Sequence, residues 1–278
     1  MWGLWVSSIS QDTKLKKRYS YGPNGDQFGD LYRPDTDQKL PVLVVIHGGY
    51  WQHTLNLDEY PTQALVAHFK EHNLAIWNLE YRRMNVEGDN VTAPWPVTFE
   101  DVSAGLDFLY NLEGIEGLDL NKVLVVGHSA GGHLAVWASS RDQISPMSEL
   151  YRSQFLQAKH TISIAAVLDF DRANDLSQPH QVERLMGGTK ANWPLRYQAT
   201  DPMQMAQGQA SLCLIHGSLD TDVPVSQAHA YVAASGNKNL TLKVMPNAGH
   251  FGMLPKDDQP APYWQQLITC ITNALSRL

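Results

Sequence analysis

What this chain has little of excludes several classes of protein. Its 278 residues include only two cysteines, Cys213 and Cys270, which are too few for a disulfide framework and suit a reducing compartment. Lys and Arg number 21 against 28 Asp and Glu, and the net charge of −7 argues against a nucleic acid or an anionic membrane as partner. No apolar stretch reaches the roughly 18 residues that a membrane-spanning helix needs.

Targeting signals and internal repeats are also missing. Residues 1–20 show no basic segment followed by an apolar stretch and a small-residue cleavage site, so we expect a cytoplasmic protein. No periodic or low-complexity tract recurs, and the length suits a single domain spanning 1–278. The expected partner is a small molecule, and the sequence leaves a homodimer open.

The chain does contain a regular alternation of apolar runs and helical patterns. Runs rich in β-branched residues predict strands at 42–48, 74–81, 122–128, 161–169, 212–217 and 240–245. Unbroken apolar strands of this kind are buried on both faces, as in a parallel sheet. One or two antiparallel edge strands are expected before residue 40. The pattern predicts an α/β fold with a mostly parallel, doubly wound sheet.

Helices are predicted between these strands, and one segment interrupts the rhythm. Apolar residues recur at helical spacing over 98–112 and again from Trp264 onward, and Pro61 fits the first turn of another helix. Residues 171–208 are instead rich in Asn, Asp, Gln, Gly and Pro. We expect this excursion to form a small cap over the active-site edge and not a separate domain.

The sequence GHSAG at 127–131 carries the clearest chemical signal. It follows a predicted strand and opens a predicted helix, which is the context that a G-x-S-x-G nucleophile turn requires. The glycines permit a sharp turn that exposes the Ser129 hydroxyl beside the free N–H groups of the helix start. His128 and His133 are expected to pack or to form hydrogen bonds, and not to act on substrate.

A nucleophilic serine needs a base, and the base needs an orienting acid. Asp220 and His250 each follow the end of a predicted strand, so both are expected at the sheet edge that carries Ser129. Asp222 is a rival acid, although it could instead cap the helix that begins near Val225. The histidines show no ligand spacing with Asp, Glu or Cys, so we expect no metal site.

The stretch HGGYW ends another apolar strand with bare backbone and two large aromatics. Gly48 and Gly49 would let backbone N–H groups approach a developing negative charge closely. Tyr50 and Trp51 are predicted to line the substrate pocket, with ordinary packing beneath the loop as the alternative. His47 is expected to tie the loop to neighbouring backbone.

Two more residues are candidates for the substrate pocket. Trp95 lies in the loop after the third-strand region and could add a flat apolar wall. Arg83 lies just past a strand end and could meet a substrate carboxylate. The alternative is that Arg82 and Arg83 pair with carboxylates that stabilise the fold.

These motifs resemble those of the serine hydrolases of the α/β-hydrolase fold, near the hormone-sensitive-lipase-like esterases. HGGYWQ together with GHSAGGHLA is more similar to the arylformamidases (kynurenine formamidases), which carry H-G-G-x-W where lipase-like esterases carry H-G-G-G. The resemblance extends from YGPNGDQFGDLYRP to the loop of His250. It implies a catalytic triad and an oxyanion hole, formed by Ser129, Asp220 and His250 and by Gly48, Gly49 and Ala130.

The expected function is hydrolysis of a small ester or amide through an acyl-enzyme, with an aryl formamide such as N-formylkynurenine among the candidate substrates. A short-chain carboxylesterase is the nearest alternative, and a non-catalytic ligand-binding homologue is an alternative of another class. No metal or organic cofactor is expected, because a triad and backbone donors suffice for acyl transfer. The bulk of Tyr50 and Trp51 predicts a small acyl group, from formyl to butyryl.

Overall fold

A computed structural model describes residues 15–87, 90–92, 95–208, 210–257 and 261–278. The expectation that the chain has no signal peptide depends on residues 1–20, of which 1–14 lie outside this range. Within the described ranges, no helix combines the length and the apolar character needed to cross a membrane.

An eight-stranded sheet forms the centre of the structure. The strands in chain order are β1 (Leu15–Ser20), β2 (Phe28–Arg33), β3 (Leu40–Ile46), β4 (Ala75–Leu79), β5 (Asn85–Glu87), β6 (Asn90–Thr92), β7 (Leu118–His128), β8 (His160–Ile164), β9 (Ser211–Gly217) and β10 (Leu240–Met245). The sheet has the order β1-β2-β4-β3-β7-β8-β9-β10, and β5 pairs separately with β6. Strand β2 runs antiparallel to both β1 and β4, and the remaining neighbours in the sheet are parallel. The antiparallel edge and the mostly parallel sheet are therefore confirmed.

Helices cover both faces of the sheet. They are α1 (Gln63–Phe69), α2 (Val97–Asp107), α3 (Leu109–Glu116), α4 (Ala130–Ser139), α5 (Gln181–Met186), α6 (Pro194–Thr200), α7 (Ser226–Ala234) and α8 (Trp264–Leu275). Short 3-10 helices span Arg141–Gln143, Phe170–Asp175 and Pro202–Met205. The single helix predicted over 98–112 is instead two helices that meet at Phe108, and Gly117 ends the second with a left-handed φ of 64°.

The central strands are buried on both faces, as their unbroken apolar runs predict. Along β3, Val42 and Val44 pack into the core that includes residues of α2, α3 and α4. Leu43 and Val45 point the other way, into the core that includes residues of α1 and α8. Because these strands run parallel, their carboxyl ends lie at one edge of the sheet, where α/β sheets build their sites.

Strand β8 is shorter than its apolar run suggested. It ends at Ile164, because Ala165 adopts a left-handed φ of 48° and turns the chain away from the ladder. The Ala165 amide still donates to the carbonyl of Ile215 at 2.8 Å. The early end leaves the carbonyl of Ile164 to accept the amide of Ser129 at 2.8 Å, which fixes the turn after β7.

The excursion predicted at 171–208 lies between β8 and β9 and contains α5 and α6. Its buried side chains, among them Val182, Leu185 and Met186, pack into the same core as Trp51. Packing of this kind holds the excursion against the sheet edge that carries the loops described next.

Candidate active site

Ser129 occupies a strained turn between β7 and α4. Its backbone has φ 57° and ψ −122°, a conformation that non-glycine residues adopt at a cost on the order of 1–3 kcal/mol. The residue is 3% exposed, and it lies on the wall of a pocket. A strained, nearly buried serine at the start of a helix is the geometry expected of a nucleophile turn.

The two glycines that flank Ser129 are required by close backbone contacts. A Cβ at Gly127 would lie 2.1 Å from the carbonyl oxygen of Gly131. A Cβ at Gly131 would lie 2.3 Å from the carbonyl oxygens of both Ile46 and His47. Any side chain at either position would push helix α4 away from β3 or distort the turn.

Asp220 and His250 come together as the sequence predicted. They follow β9 and β10, and His250 Nδ1 lies 2.8 Å from Asp220 Oδ2. Because a carboxylate only accepts, Nδ1 carries the proton and Nε2 is left as the basic nitrogen. His250 lines the same pocket as Ser129.

The surroundings of Asp220 keep its carboxylate ionised. The side chain is fully buried, and Oδ1 accepts the amides of Asp222 at 3.0 Å and Val223 at 2.9 Å. Burial alone would raise the pKa of Asp220, but hydrogen bonds from His216 and His250 outweigh it and hold that pKa below its ordinary value.

The rival acid, Asp222, is engaged elsewhere. Its Oδ1 accepts the hydroxyl of Ser177 at 2.9 Å, while its backbone amide binds Asp220. The expectation that Asp222 caps the following helix is wrong, because α7 has Val225 at its N-cap and no side-chain cap. Asp222 therefore shapes the loop and the pocket wall.

His128 and Tyr60 form a buried pair next to Ser129. His128 Nε2 lies 2.9 Å from the carbonyl oxygen of His250, so Nε2 must donate and Nδ1 must accept. Tyr60 Oη lies 2.8 Å from that Nδ1 and supplies the proton. Burial and the nearby His250 lower the pKa of His128 to about 3, so the ring stays neutral and holds the backbone of the His250 loop.

Sequence reasoning missed Tyr60. It lines the pocket together with Ser129, and a Cβ at Gly48 would lie 2.4 Å from its hydroxyl. Burial holds the pKa of Tyr60 well above its ordinary value, so the hydroxyl remains a proton donor. The one signal available was its place in the loop that follows the HGG motif.

His47 anchors the HGG loop, as expected. Its Nδ1 lies 2.9 Å from the carbonyl oxygen of Gly48, and its Nε2 lies 2.9 Å from Glu80 Oε1. The ring stacks on Tyr81 at 4.5 Å, and the Tyr81 hydroxyl donates to the His47 carbonyl at 2.7 Å. These contacts fix the loop before any substrate is bound.

The HGG loop turns through three consecutive left-handed residues. Gly49, Tyr50 and Trp51 have φ values of 108°, 50° and 55°. Gly49 lines the pocket with Ser129. Gly48 is so close to the turn between β7 and α4 that a Cβ there would lie 2.6 Å from the His128 carbonyl oxygen. The loop thus brings bare backbone next to the nucleophile turn, as the glycines predicted.

The two aromatics of the loop point in different directions. Tyr50 lines the pocket, and its hydroxyl donates to the Asp222 carbonyl at 2.8 Å. Trp51 is fully buried and meets His133 and Phe170 edge-on, with ring centroids 5.3 and 6.3 Å away. The prediction that Trp51 lines the pocket is wrong, and the alternative of packing beneath the loop is correct.

Arg83 and Trp95 do not reach the pocket either. The Arg83 side chain is 1% exposed, pairs with Glu80 at 2.9 Å and donates to the Leu55 carbonyl at 2.7 Å. Trp95 packs on Phe99 and is absent from the described lining of the pocket. Both predictions of substrate contact are wrong, and Arg83 follows the ion-pair alternative.

The pocket at Ser129 is small and has a mixed lining. Its volume is about 240 Å³. The described residues around it are Gly49, Tyr50, Gln52, Thr54, Leu55, Tyr60, Ser129, Gln178, Asp222, His250, Phe251 and Lys256. Gln178 comes from the excursion at 171–208, so that segment supplies one wall, as a cap would.

Three ligand-type side chains lie together at this site. Atoms of Asp220, Asp222 and His250 that could bind a metal lie within 4.8 Å of one another. Each is already engaged, because Asp220 and His250 share a hydrogen bond and Asp222 accepts from Ser177. The cluster is arranged as an acid and a base that share a proton.

The mostly parallel sheet, the strained serine turn and the acid–base pair on successive strand-end loops define the α/β-hydrolase fold. Solved structures with this fold match closely. The "truncated form of carbohydrate esterase from gut microbiota" aligns with a TM-score of 0.75 and 18% identity over 96% of this chain and 99% of its own. Esterase 2 of Thermogutta terrifontis aligns with a TM-score of 0.72 and 19% identity over 96% and 95%.

Within this fold, the chain belongs to the BD-FAE family, whose family model matches residues 30–234. It is also 25% identical to Esterase LipQ of Mycobacterium tuberculosis over 83% of this chain and 55% of that protein. Esterase LipC of the same organism is 26% identical over 84% of this chain and 59% of its own length. The chain spans about half the length of the curated relatives it matches.

Proposed function

We propose that the protein is a serine carboxylesterase that hydrolyses a small ester through an acyl-enzyme. The observation that carries the proposal is the 2.8 Å hydrogen bond between His250 and Asp220 at the pocket that holds Ser129. A base oriented by a buried acid is what a serine hydroxyl needs to act as a nucleophile at neutral pH. The esterase names of LipQ and LipC support the same reaction class.

The proposed reaction has two halves. Ser129 Oγ attacks the ester carbonyl while His250 Nε2 takes the hydroxyl proton, and Asp220 stabilises the resulting imidazolium. His250 then gives this proton to the leaving oxygen, and an acyl-enzyme remains. Water repeats the sequence, releasing the acid and restoring the serine.

Backbone N–H groups would stabilise the negative charge on the carbonyl oxygen. Gly48 and Gly49 lie beside the nucleophile turn, and Ala130 begins α4, where helix amides have no partner within the helix. Each such donor contributes about 2.7–4 kcal/mol to the transition state. We assign the oxyanion hole to these three residues.

The size of the pocket favours a short acyl chain. Its volume of about 240 Å³ lies below the about 300–1,000 Å³ of sites for drug-sized ligands. The hydrogen bond that the Tyr50 hydroxyl donates to the Asp222 carbonyl holds Tyr50 in place, so its ring cannot easily make room. Acetyl to butyryl esters should therefore be better substrates than octanoyl esters.

An aryl formamide is the narrower candidate substrate. Formyl is the smallest acyl group, and the HGGYWQ motif resembles that of the arylformamidases. However, Trp51 of that motif is buried in the core and cannot contact the substrate. Turnover of N-formyl-L-kynurenine would support this candidate, and its absence alongside rapid hydrolysis of p-nitrophenyl acetate would leave the short-chain esterase.

A fluorophosphonate probe and a series of p-nitrophenyl esters test the proposal. The wild-type protein should be labelled and should hydrolyse the acetyl to butyryl esters, whereas Ser129→Ala should lose both properties. The exposed Ser153 provides a matched control, because Ser153→Ala should leave labelling and turnover unchanged. Wild-type turnover in the Ser129 variant, or a wild-type protein that is neither labelled nor active, would refute the proposal.

A further inference from the structure

A second cavity adjoins the pocket at Ser129. Its volume is about 450 Å³, and its described lining includes Asn247, Gly249, Gly252 and Pro262, which follow β10. The two cavities share four lining residues, Asp222, His250, Phe251 and Lys256. The two cavities therefore meet along the segment that carries His250 and Lys256.

The chemistry of the proposed reaction says which part of a substrate lies there. His250 gives its proton to the leaving atom, so the leaving group must sit against His250 when the ester bond breaks. The second cavity lies on the His250 loop, while Tyr50 and Leu55 line only the first. The second cavity is thus on the leaving-group side.

Lys256 is the one cation among the described residues that line the two cavities. It is half-buried, and its Nζ lies 4.3 Å from the centroid of the Phe251 ring. No carboxylate within the described residues lies within ion-pair distance of it. Within the described part of the chain, an aromatic ring holds the ammonium group at the cavity wall and no carboxylate pairs with it, so a bound anion can do so.

Asp222 supplies a carboxylate to both cavities, but this residue is already hydrogen-bonded to neighbouring protein groups. Its side chain accepts the Ser177 hydroxyl, and its backbone binds Asp220 and Tyr50. The two charged residues of the cavity thus differ, because Asp222 is fixed by hydrogen bonds within the protein, whereas the Lys256 side chain forms none with the described residues.

We propose that the second cavity is a leaving-group subsite in which Lys256 binds an anionic substituent, a carboxylate above all, of the alcohol or phenol released from the ester. This inference rests on the proposed esterase function. It narrows the substrate class to short-chain esters whose leaving group carries a negative charge a few bonds from the cleaved oxygen.

Two matched esters test the subsite. 4-Acetoxybenzoate releases an anionic phenol, whereas 4-acetoxybenzamide releases a neutral phenol of the same shape. The ratio of their kcat/KM values is measured for the wild-type protein and for Lys256→Gln, so differences in intrinsic reactivity cancel between proteins. We expect Lys256→Gln to lower the preference for the anion about fivefold, the size of a partly exposed ion pair.

Three further variants separate charge from packing. Lys256→Arg should retain the preference, and Lys256→Glu should reverse it through like-charge repulsion. Lys238 is exposed and remote from both cavities, so Lys238→Gln changes the net charge equally and should leave the ratio unchanged. Added salt should weaken the preference of the wild-type protein but not that of Lys256→Gln.

The outcomes separate the subsite from the proposed function. If both esters are hydrolysed and their ratio is the same in the wild-type protein and Lys256→Gln, the subsite is refuted while the esterase stands. An equal loss for both esters assigns Lys256 a packing role and also refutes the subsite. If neither ester nor p-nitrophenyl acetate is hydrolysed, the esterase itself fails, and the subsite fails with it.

Discussion

Two buried aspartates, Asp201 before strand β9 in the chain and Asp220 after it, differ in the hydrogen-bond partners of their carboxylates. Two imidazoles and two amides surround Asp220, and its pKa is held below the ordinary value despite burial. Asp201 accepts the amides of Phe170 and Met203 with Oδ1, but Oδ2 is buried without a partner. Burial raises the pKa of Asp201 to about 7.

The comparison teaches that burial alone does not decide the charge of a side chain. Removal from water disfavours the charged form in both loops, and only cationic or strongly donating neighbours reverse the effect. Burial acts on His128 in the same way. Its ring faces a hydroxyl and a carbonyl, and its pKa is lowered to about 3.

The largest expected effect on kcat comes from removing the charge of Asp220, whose carboxylate is hydrogen-bonded on both oxygens. Asp220→Asn should lower kcat by up to about 10⁴-fold, because the amide neither stabilises the imidazolium nor selects the productive tautomer of His250. Asp222→Asn is the matched control and should lower kcat less than about tenfold, since it weakens one hydrogen bond in the loop. Steady-state kinetics with p-nitrophenyl acetate measures both. A larger loss in the Asp222 variant would show that Asp222 is the acid.

The second prediction concerns Asp201, whose buried Oδ2 has no hydrogen-bond partner. Folded Asp201 keeps its proton up to pH of about 7, and the unfolded side chain loses it near pH 4. The folded state therefore binds more protons in this window, and stability falls as the pH rises from about 4 to about 7. Asp201→Asn escapes this loss, which is on the order of 3–4 kcal/mol by pH 8.

Urea unfolding at pH of about 5 and about 8 measures this effect. The free energy of unfolding should fall between the two conditions in the wild-type protein and much less in Asp201→Asn. The exposed Asp142 supplies the control, because Asp142→Asn should keep the wild-type dependence. Equal pH dependence in the wild-type protein and Asp201→Asn would mean that Asp201 is ionised in the folded state.

A smaller effect is expected from removing the hydroxyl that donates to His128, the buried neutral imidazole. Tyr60→Phe removes the proton donor to His128 Nδ1 and leaves that buried nitrogen unsatisfied, at a cost of about 1–3 kcal/mol. Because His128 holds the backbone of the His250 loop, we expect kcat to fall about tenfold with little change in KM. Tyr197→Phe is the control, since Tyr197 is as little exposed as Tyr60 and its hydroxyl donates to the Gly188 carbonyl, away from His128. If the two variants have equal kinetics, the Tyr60 hydroxyl makes no specific contribution to catalysis.

Removal of metal ions is expected to have no effect on activity. Dialysis against EDTA should leave ester hydrolysis unchanged, because Asp220 and His250 are already hydrogen-bonded to each other and acyl transfer by a serine nucleophile requires no metal ion. Activity that is lost to EDTA and restored by a divalent ion would reassign the cluster of Asp220, Asp222 and His250 as a metal site.

The sequence predicted most of what backbone patterns control. The strands and the positions of Ser129, Asp220 and His250 follow from apolar runs and from the rule that loops at the carboxyl ends of parallel strands meet. It did not predict that one helical pattern divides at Phe108, because the apolar spacing continues through the junction. Periodicity records which side of a helix is buried and not whether the helix bends.

Side-chain directions in irregular loops were the main source of error. Tyr50 and Trp51 are adjacent and chemically alike, yet two left-handed residues in succession send one ring to the pocket and the other to the core. The charge of Arg83 makes it a candidate either for substrate contact or for a structural ion pair, and Glu80, three residues earlier, pairs with it. Tyr60 carries no motif at all and becomes relevant only through its distance to His128.

The contact of Gly131 with the carbonyls of Ile46 and His47 limits how this protein can diversify. The nucleophile helix and the HGG loop fit together so closely that a methyl group at this position would displace both at once. Random libraries should therefore yield few folded variants at Gly127 or Gly131. Changes in substrate range should instead accumulate at the pocket-facing side chains of Tyr50, Leu55 and Phe251, which can vary without moving the backbone on which catalysis depends.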